Sequence, residues 1–89
     1  MKDLSDWRNE INDLDREIVA ILNRRAACVL ELAPLKRQQG IPVFEPDRER
    51  RVHDNIESAN KGPLSTESLT RIYEAVMREM RELQNEPAE

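Results

Sequence analysis

The chain has 89 residues, room for a single domain over positions 1–89, and with 36% charged and 3% aromatic residues it can bury only a small core. A net charge of −4 gives no basic footprint for nucleic acid, and one cysteine, Cys28, excludes an internal disulfide or a cysteine-rich zinc site. The opening MKDLSDWRNE has no apolar run, so neither a signal peptide nor a membrane span is expected, and the expected location is cytoplasmic.

Ala, Glu, Lys, Leu and Arg make up nearly half of the chain, the composition of long helices. The first helix is expected from about Ser5 to Gln39. Gly40 suits a left-handed helix end, and Pro42 prevents continuation. Pro34 interrupts this segment and removes one hydrogen bond, the one to Leu30. Leu35 and Lys36 keep the phase of the apolar stripe, so a kink followed by continued helix is expected. The second helix should run from about Pro46 to Asn60, with Pro46 in its first turn and Gly62–Pro63 repeating the stop signal. The third should run from about Thr66 to Asn85, with Ser65 as N-cap and Leu64 and Leu69 as a hydrophobic staple. No segment alternates with period two, so the fold class is all-α.

A first helix of this length would run roughly 50 Å. Its stripe of Trp7, Ile11, Leu14, Ile18, Leu22, Val29 and Leu32 is too long for either short helix to cover. A second chain is the natural cover, which favours a homodimer over a monomeric bundle with a broken first helix.

Charges interrupt the packing faces. With Trp7 at zero on a helical wheel, Arg25 falls at about 0° and Lys36 at about 20°, inside the stripe. Buried unpaired charge is costly, so something anionic should meet both. Salt bridges to Glu45 or Glu49 would do so, and so would a ligand carrying carboxylates or phosphates. On the second helix Arg48 precedes Val52 by one turn, with Glu49 on the flank and Ile56 and Ala59 further along the packing face. On the third, Gln84 follows Met80 by one turn on the face of Leu69, Ile72, Tyr73, Val76 and Leu83. Four such intrusions point to a polar pocket inside a helical bundle. Arg8 lies roughly 25 Å from Arg25 along the axis, out of reach within one straight helix. An antiparallel partner would bring its own Arg8 back.

Other polar residues are expected to be structural. His53 should be exposed, with no second histidine for a metal. Cys28 reads as a small packing residue. The acids and bases from Glu74 to Glu82 read as a solvated face. No glycine-rich phosphate loop or activated nucleophile is visible.

Three stretches, "WRNEINDLDREIVAILNRR", "LKRQQGIPVFEPDRERRV" and "RIYEAVMREMRELQ", resemble the small all-helical chorismate mutases over roughly residues 6 to 85. The resemblance implies an intertwined homodimer of three-helix chains that rearranges chorismate to prephenate, on the route to phenylalanine and tyrosine, with no cofactor or metal. It implies that Arg25 and the partner's Arg8 clamp the substrate carboxylates. Lys36 and Gln84 would donate to the ether oxygen, and Arg48 would add positive charge nearby. Glu49 would accept from the ring hydroxyl with help from Glu45. Met80 would stand near the ring carboxylate, where the family often has a small or polar residue such as Ser. Glu45 replaces a frequent Asp, and Pro34 interrupts a helix that normally runs on. An isochorismate-pyruvate lyase and a non-catalytic helical dimerisation module are the alternatives. The tail "QNEPAE" suits either a stand-alone enzyme or part of a fusion.

Overall fold

The computed structural model describes residues 1–85 as three helices, α1 (Leu4–Gln39), α2 (Pro46–Ala59) and α3 (Thr66–Asn85), with no strand among the described residues. The tail from residue 86 onward lies outside them.

Each helix boundary has a local cause. Asp3 caps α1: its Oδ1 accepts from the Asp6 amide at 2.9 Å, and Asp6 Oδ2 accepts from the Asp3 amide at 3.1 Å. This reciprocal box satisfies two of the amides that a helix start leaves without partners. Gly40 ends α1 in the left-handed region at φ 69°, and the Ile41 amide donates to Lys36 O at 2.8 Å. That closure is a Schellman pattern. A Cβ at Gly40 would meet nothing within 4 Å, so alanine there is opposed by backbone conformation alone. Gly40→Ala should therefore lower stability by about 1–2 kcal/mol, measured by urea unfolding at fixed protein concentration.

Pro34 lies inside a helix that runs on to Gln39, as expected. On the helical wheel it falls about 180° from Trp7, on the outer side of α1, and its side chain is exposed. Water can therefore reach the Leu30 carbonyl that the missing N–H leaves without its helical partner.

The second stop signal works differently from the expectation. α2 ends at Ala59, and Asn60, in extended backbone, occupies the C-cap. Gly62 is left-handed at φ 71° but lies in the loop, beyond the helix end. The Asn60 side chain builds this turn, accepting from the Gly62 amide and donating to Leu64 O, both at 2.9 Å. Ser65 then caps α3, its Oγ accepting from the Ser68 amide at 3.1 Å.

α3 packs against both other helices, whereas α1 and α2 form no seam with each other. The buried apolar residues are Val29 and Ala33 of α1, Val52 of α2, and Met77 and Met80 of α3. Met77 belongs to the core although the sequence reading omitted it, while Ile72 and Ala59, expected to pack, are exposed.

The single chain is far from compact. Its radius of gyration is 16.3 Å, against about 12 Å for a globular domain of this length. The excess comes from α1, whose N-terminal half extends past the core. Trp7, Ile11, Leu14 and Ile18 are each 49–54% exposed although they form one apolar stripe. Isolated exposed apolar residues are ordinary, but a contiguous stripe marks a surface that another molecule covers.

Candidate active site

The three helices and the α1–α2 loop enclose a cleft of about 280 Å³. Arg25, Lys36, Glu45, Arg48, Glu49, Met80 and Gln84 all line it, so seven of the eight candidates meet at one place. Arg8 does not. It is exposed on the N-terminal half of α1, away from the cleft.

Lys36 is the buried charge of this site, 7% exposed. Its ammonium donates to Val43 O at 3.0 Å and pairs with Glu45 Oε2 at 3.0 Å. An ammonium has three N–H donors, so one remains for a ligand. Glu45 explains part of this geometry. It stands at the N-cap of α2 but makes no capping hydrogen bond. Its carboxylate is committed to Lys36 instead, and the loop is thereby tied to α1. The internal salt bridge weighed as the structural alternative is thus present at Lys36. It accounts for only one of the two cations on that stripe: Arg25, half-buried, has no ion pair among the described residues. Arg48, exposed at the cleft mouth, has none among them either.

Glu49 faces the opposite wall. Arg81 of α3 bridges both of its carboxylate oxygens through one nitrogen, Nη1, at 2.6 and 2.5 Å. The guanidinium also lies 5.1 Å from the centroid of the Phe44 ring, within cation–π range. Arg81 corrects the reading of Glu74 to Glu82 as a uniformly solvated face: it is half-buried and lines the cleft, while Glu74, Arg78, Glu79 and Glu82 are exposed as expected. A signal existed, because position 81 follows Met77 by four residues and precedes Gln84 by three, on the side of α3 that packs.

Gln84 is half-buried, and its Nε2 makes only a long 3.4 Å contact with Met80 O. Its Oε1 is buried without a hydrogen-bond partner among the described residues. An amide with so little internal bonding costs little to recruit to a ligand. Two further expectations need correction. His53 is half-buried rather than exposed, with Nδ1 buried and unpartnered among the described residues, and it does not line the cleft. Cys28 is exposed in the single chain and stands at the cleft wall.

The cleft therefore presents four cations, Arg25, Lys36, Arg48 and Arg81, against two carboxylates, Glu45 and Glu49. Two positive charges are in excess, in a concave site with apolar walls at Val29, Val52 and Met77. Such a charge balance suits a small dianion, and the carboxylates offer acceptors for a hydroxyl. The described residues hold no cluster of metal-ligating side chains, and no described helix is long and apolar enough to cross a membrane.

An all-helical chain with a cationic cleft between its helices is a small-molecule-binding helical bundle. The family model for chorismate mutase type II matches residues 7–85, and the chain belongs to that family. It is 40% identical over 72 residues to a bifunctional chorismate mutase/prephenate dehydratase of Neisseria gonorrhoeae, a match covering 81% of this chain and 19% of that protein. The chain spans about a fifth of the length of such bifunctional relatives. Among solved structures, a Helicobacter pylori chorismate mutase in complex with prephenate superposes with a TM-score of 0.83 at 31% identity, covering 91% of this chain and 88% of that one. A Thermus thermophilus chorismate mutase shares the fold, with a TM-score of 0.91 at 23% identity over 99% of this chain and all of that one.

Proposed function

We propose that the chain is a chorismate mutase, converting chorismate to prephenate for aromatic amino acid synthesis, and that it works as a homodimer. The observation that carries the reading is the charge balance of the cleft: two arginines, Arg25 and Arg48, with no ion pair among the described residues, beside two internally paired carboxylates. Chorismate is a dianion with a ring hydroxyl, and its rearrangement breaks one C–O bond and forms one C–C bond within the same molecule. No nucleophile or proton transfer is required. What the protein must supply is a folded substrate conformation and fixed donors for the charge that grows on the ether oxygen.

The residues suit these tasks. Arg25 and the partner's Arg8 hold the two carboxylates, with Arg48 adding positive charge. The remaining N–H of Lys36 and the Gln84 amide donate to the ether oxygen. Glu49, with Glu45 behind it, accepts from the hydroxyl, and Met80 closes the wall beside the ring carboxylate. Donors set in a folded cleft need not reorganise as charge shifts, so they favour the transition state over the substrate.

Dimerisation is supported by the uncovered stripe from Trp7 to Ile18 and by the distance of Arg8 from its own cleft. One pairing of two α1 helices answers both.

The direct test mixes purified protein with chorismate, and separately with isochorismate, and identifies products by NMR. Prephenate from chorismate is expected. Pyruvate and salicylate from isochorismate alone would make the protein a lyase instead. Because Gln84 is a neutral donor and the cleft lining contains no histidine, kcat should vary by less than about twofold between pH 6 and pH 8. A steep loss in that interval would contradict the assignment of Gln84 to the ether contact.

A further inference from the structure

We infer that Arg81 is the positioning residue for Glu49: it fixes that carboxylate as an acceptor for the substrate's ring hydroxyl and keeps it away from the cations that take the substrate's carboxylates. The inference rests on the chorismate reading of the cleft.

Glu49 is next to Arg48 in sequence and shares the cleft with Lys36. A carboxylate left free there would be drawn to whichever cation lay nearest, and each cation so occupied is lost to the substrate. Arg81 prevents this from the other side. It comes from α3, 32 positions away, and its Nη1 holds both Glu49 oxygens at 2.6 and 2.5 Å. Phe44 backs the guanidinium from the α1–α2 loop. Arg81 is 29% and Glu49 22% exposed at the side chain, so the pair is partly shielded from solvent. A carboxylate has about four acceptor positions, so a bridge through one nitrogen leaves room for a hydroxyl. Among the described residues, the two internal pairs, Lys36–Glu45 and Arg81–Glu49, then leave Arg25 and Arg48 uncommitted for a dianion. Without Arg81 the cleft would hold one positive charge in excess rather than two.

The test is a double-mutant cycle. Arg81→Met, Arg81→Lys, Glu49→Gln and the Arg81→Met/Glu49→Gln pair are assayed with chorismate and with its analogue lacking the ring hydroxyl. Helicity by circular dichroism and elution volume are recorded for each. Arg81→Met should lower kcat/KM for chorismate by about tenfold to a hundredfold, the range of a charge-assisted hydrogen bond. In the Glu49→Gln background the same change should add less than about threefold, because the two residues act as one unit. With the deoxy analogue Arg81→Met should cost clearly less than with chorismate, since the hydroxyl contact is already gone and only the competition of a freed Glu49 for the cations remains. Arg81→Lys should recover much of the loss, because a single bridging nitrogen is all the native pair uses, and it keeps the test open if the methionine variant fails to fold. Equal losses on both substrates, or additive losses in the cycle, would overturn the inference and make Arg81 a direct substrate ligand or a purely structural residue. A loss from Glu49→Gln without one from either Arg81 variant would overturn the inference alone. Wild-type protein that leaves chorismate unchanged would overturn the reading of the cleft and the inference with it.

Discussion

Lys36→Ala should lower kcat by about 10²–10³-fold while the chain keeps its helices and its association state, the loss seen when one fixed donor to a developing oxyanion is removed. Lys36 is the most deeply buried charge of the cleft, 7% exposed, and it is held from two sides by Val43 O and Glu45. Those contacts orient the ammonium before any ligand arrives, so its remaining N–H points from a fixed position. The substrate's ether oxygen carries little charge at the start and more as the C–O bond lengthens. The contact therefore strengthens along the reaction, and its removal should appear in kcat more than in KM. Lys36→Arg should not restore activity, because a planar fork needs more room than a compact ammonium in this pocket. The measurement is steady-state loss of chorismate beside size-exclusion and thermal melting. If turnover is retained and only the melt changes, the Lys36–Glu45 pair is a structural tie between α1 and the loop, and the chain serves as a helical dimerisation module.

The residues whose role depends on local chemistry were legible in the sequence. Gly40 and Pro42 marked the end of α1, and Ser65 marked the start of α3, because a cap is a contact between near neighbours. The wheel brought Arg25 and Lys36 onto the apolar face, and the cleft contains both. Pro34 could be carried through α1 because it falls on the outer side, a matter of phase that the same wheel contains. The roles that were not legible involve partners distant in the chain. Arg81 sits among Arg78, Glu79 and Glu82, which are solvated, and although its spacing from Met77 and Gln84 puts it on the packing side of α3, that phase does not say what it meets. What distinguishes it is Glu49 on another helix and Phe44 in a loop. Glu45 stands at the N-cap of α2 without capping it; its carboxylate is used by Lys36, a commitment seen only once α1 and the loop are folded together. Gly62 misled because the Asn60 side chain builds the turn that a glycine helix cap would otherwise make.

Arg8→Ala and Lys36→Ala chains, each at about a tenth of wild-type activity or less alone, should together recover about a quarter of wild-type activity when unfolded, mixed in equal amounts and refolded. The reasoning begins with the exposed stripe. Trp7, Ile11, Leu14 and Ile18 lose little water contact within one chain, and a partner α1 laid antiparallel would cover them. The same pairing would carry Arg8 from the far end of one chain to the cleft of the other. Each cleft would then contain Arg25, Lys36, Arg48 and Gln84 from one protomer and Arg8 from its partner. A dimer of one Arg8→Ala chain and one Lys36→Ala chain has one cleft with both defects and one with neither. Random pairing makes about half of all dimers mixed, and half of their clefts are intact, which gives the quarter. Arg8→Ala alone should cost about tenfold to a hundredfold in kcat/KM, as expected for a charge-assisted contact to a carboxylate. A mixture no more active than its components would mean that the clefts do not exchange residues, and an Arg8→Ala chain with full activity would remove Arg8 from the site. Recovery to the expected fraction has no explanation within a single chain, because neither variant contains both residues.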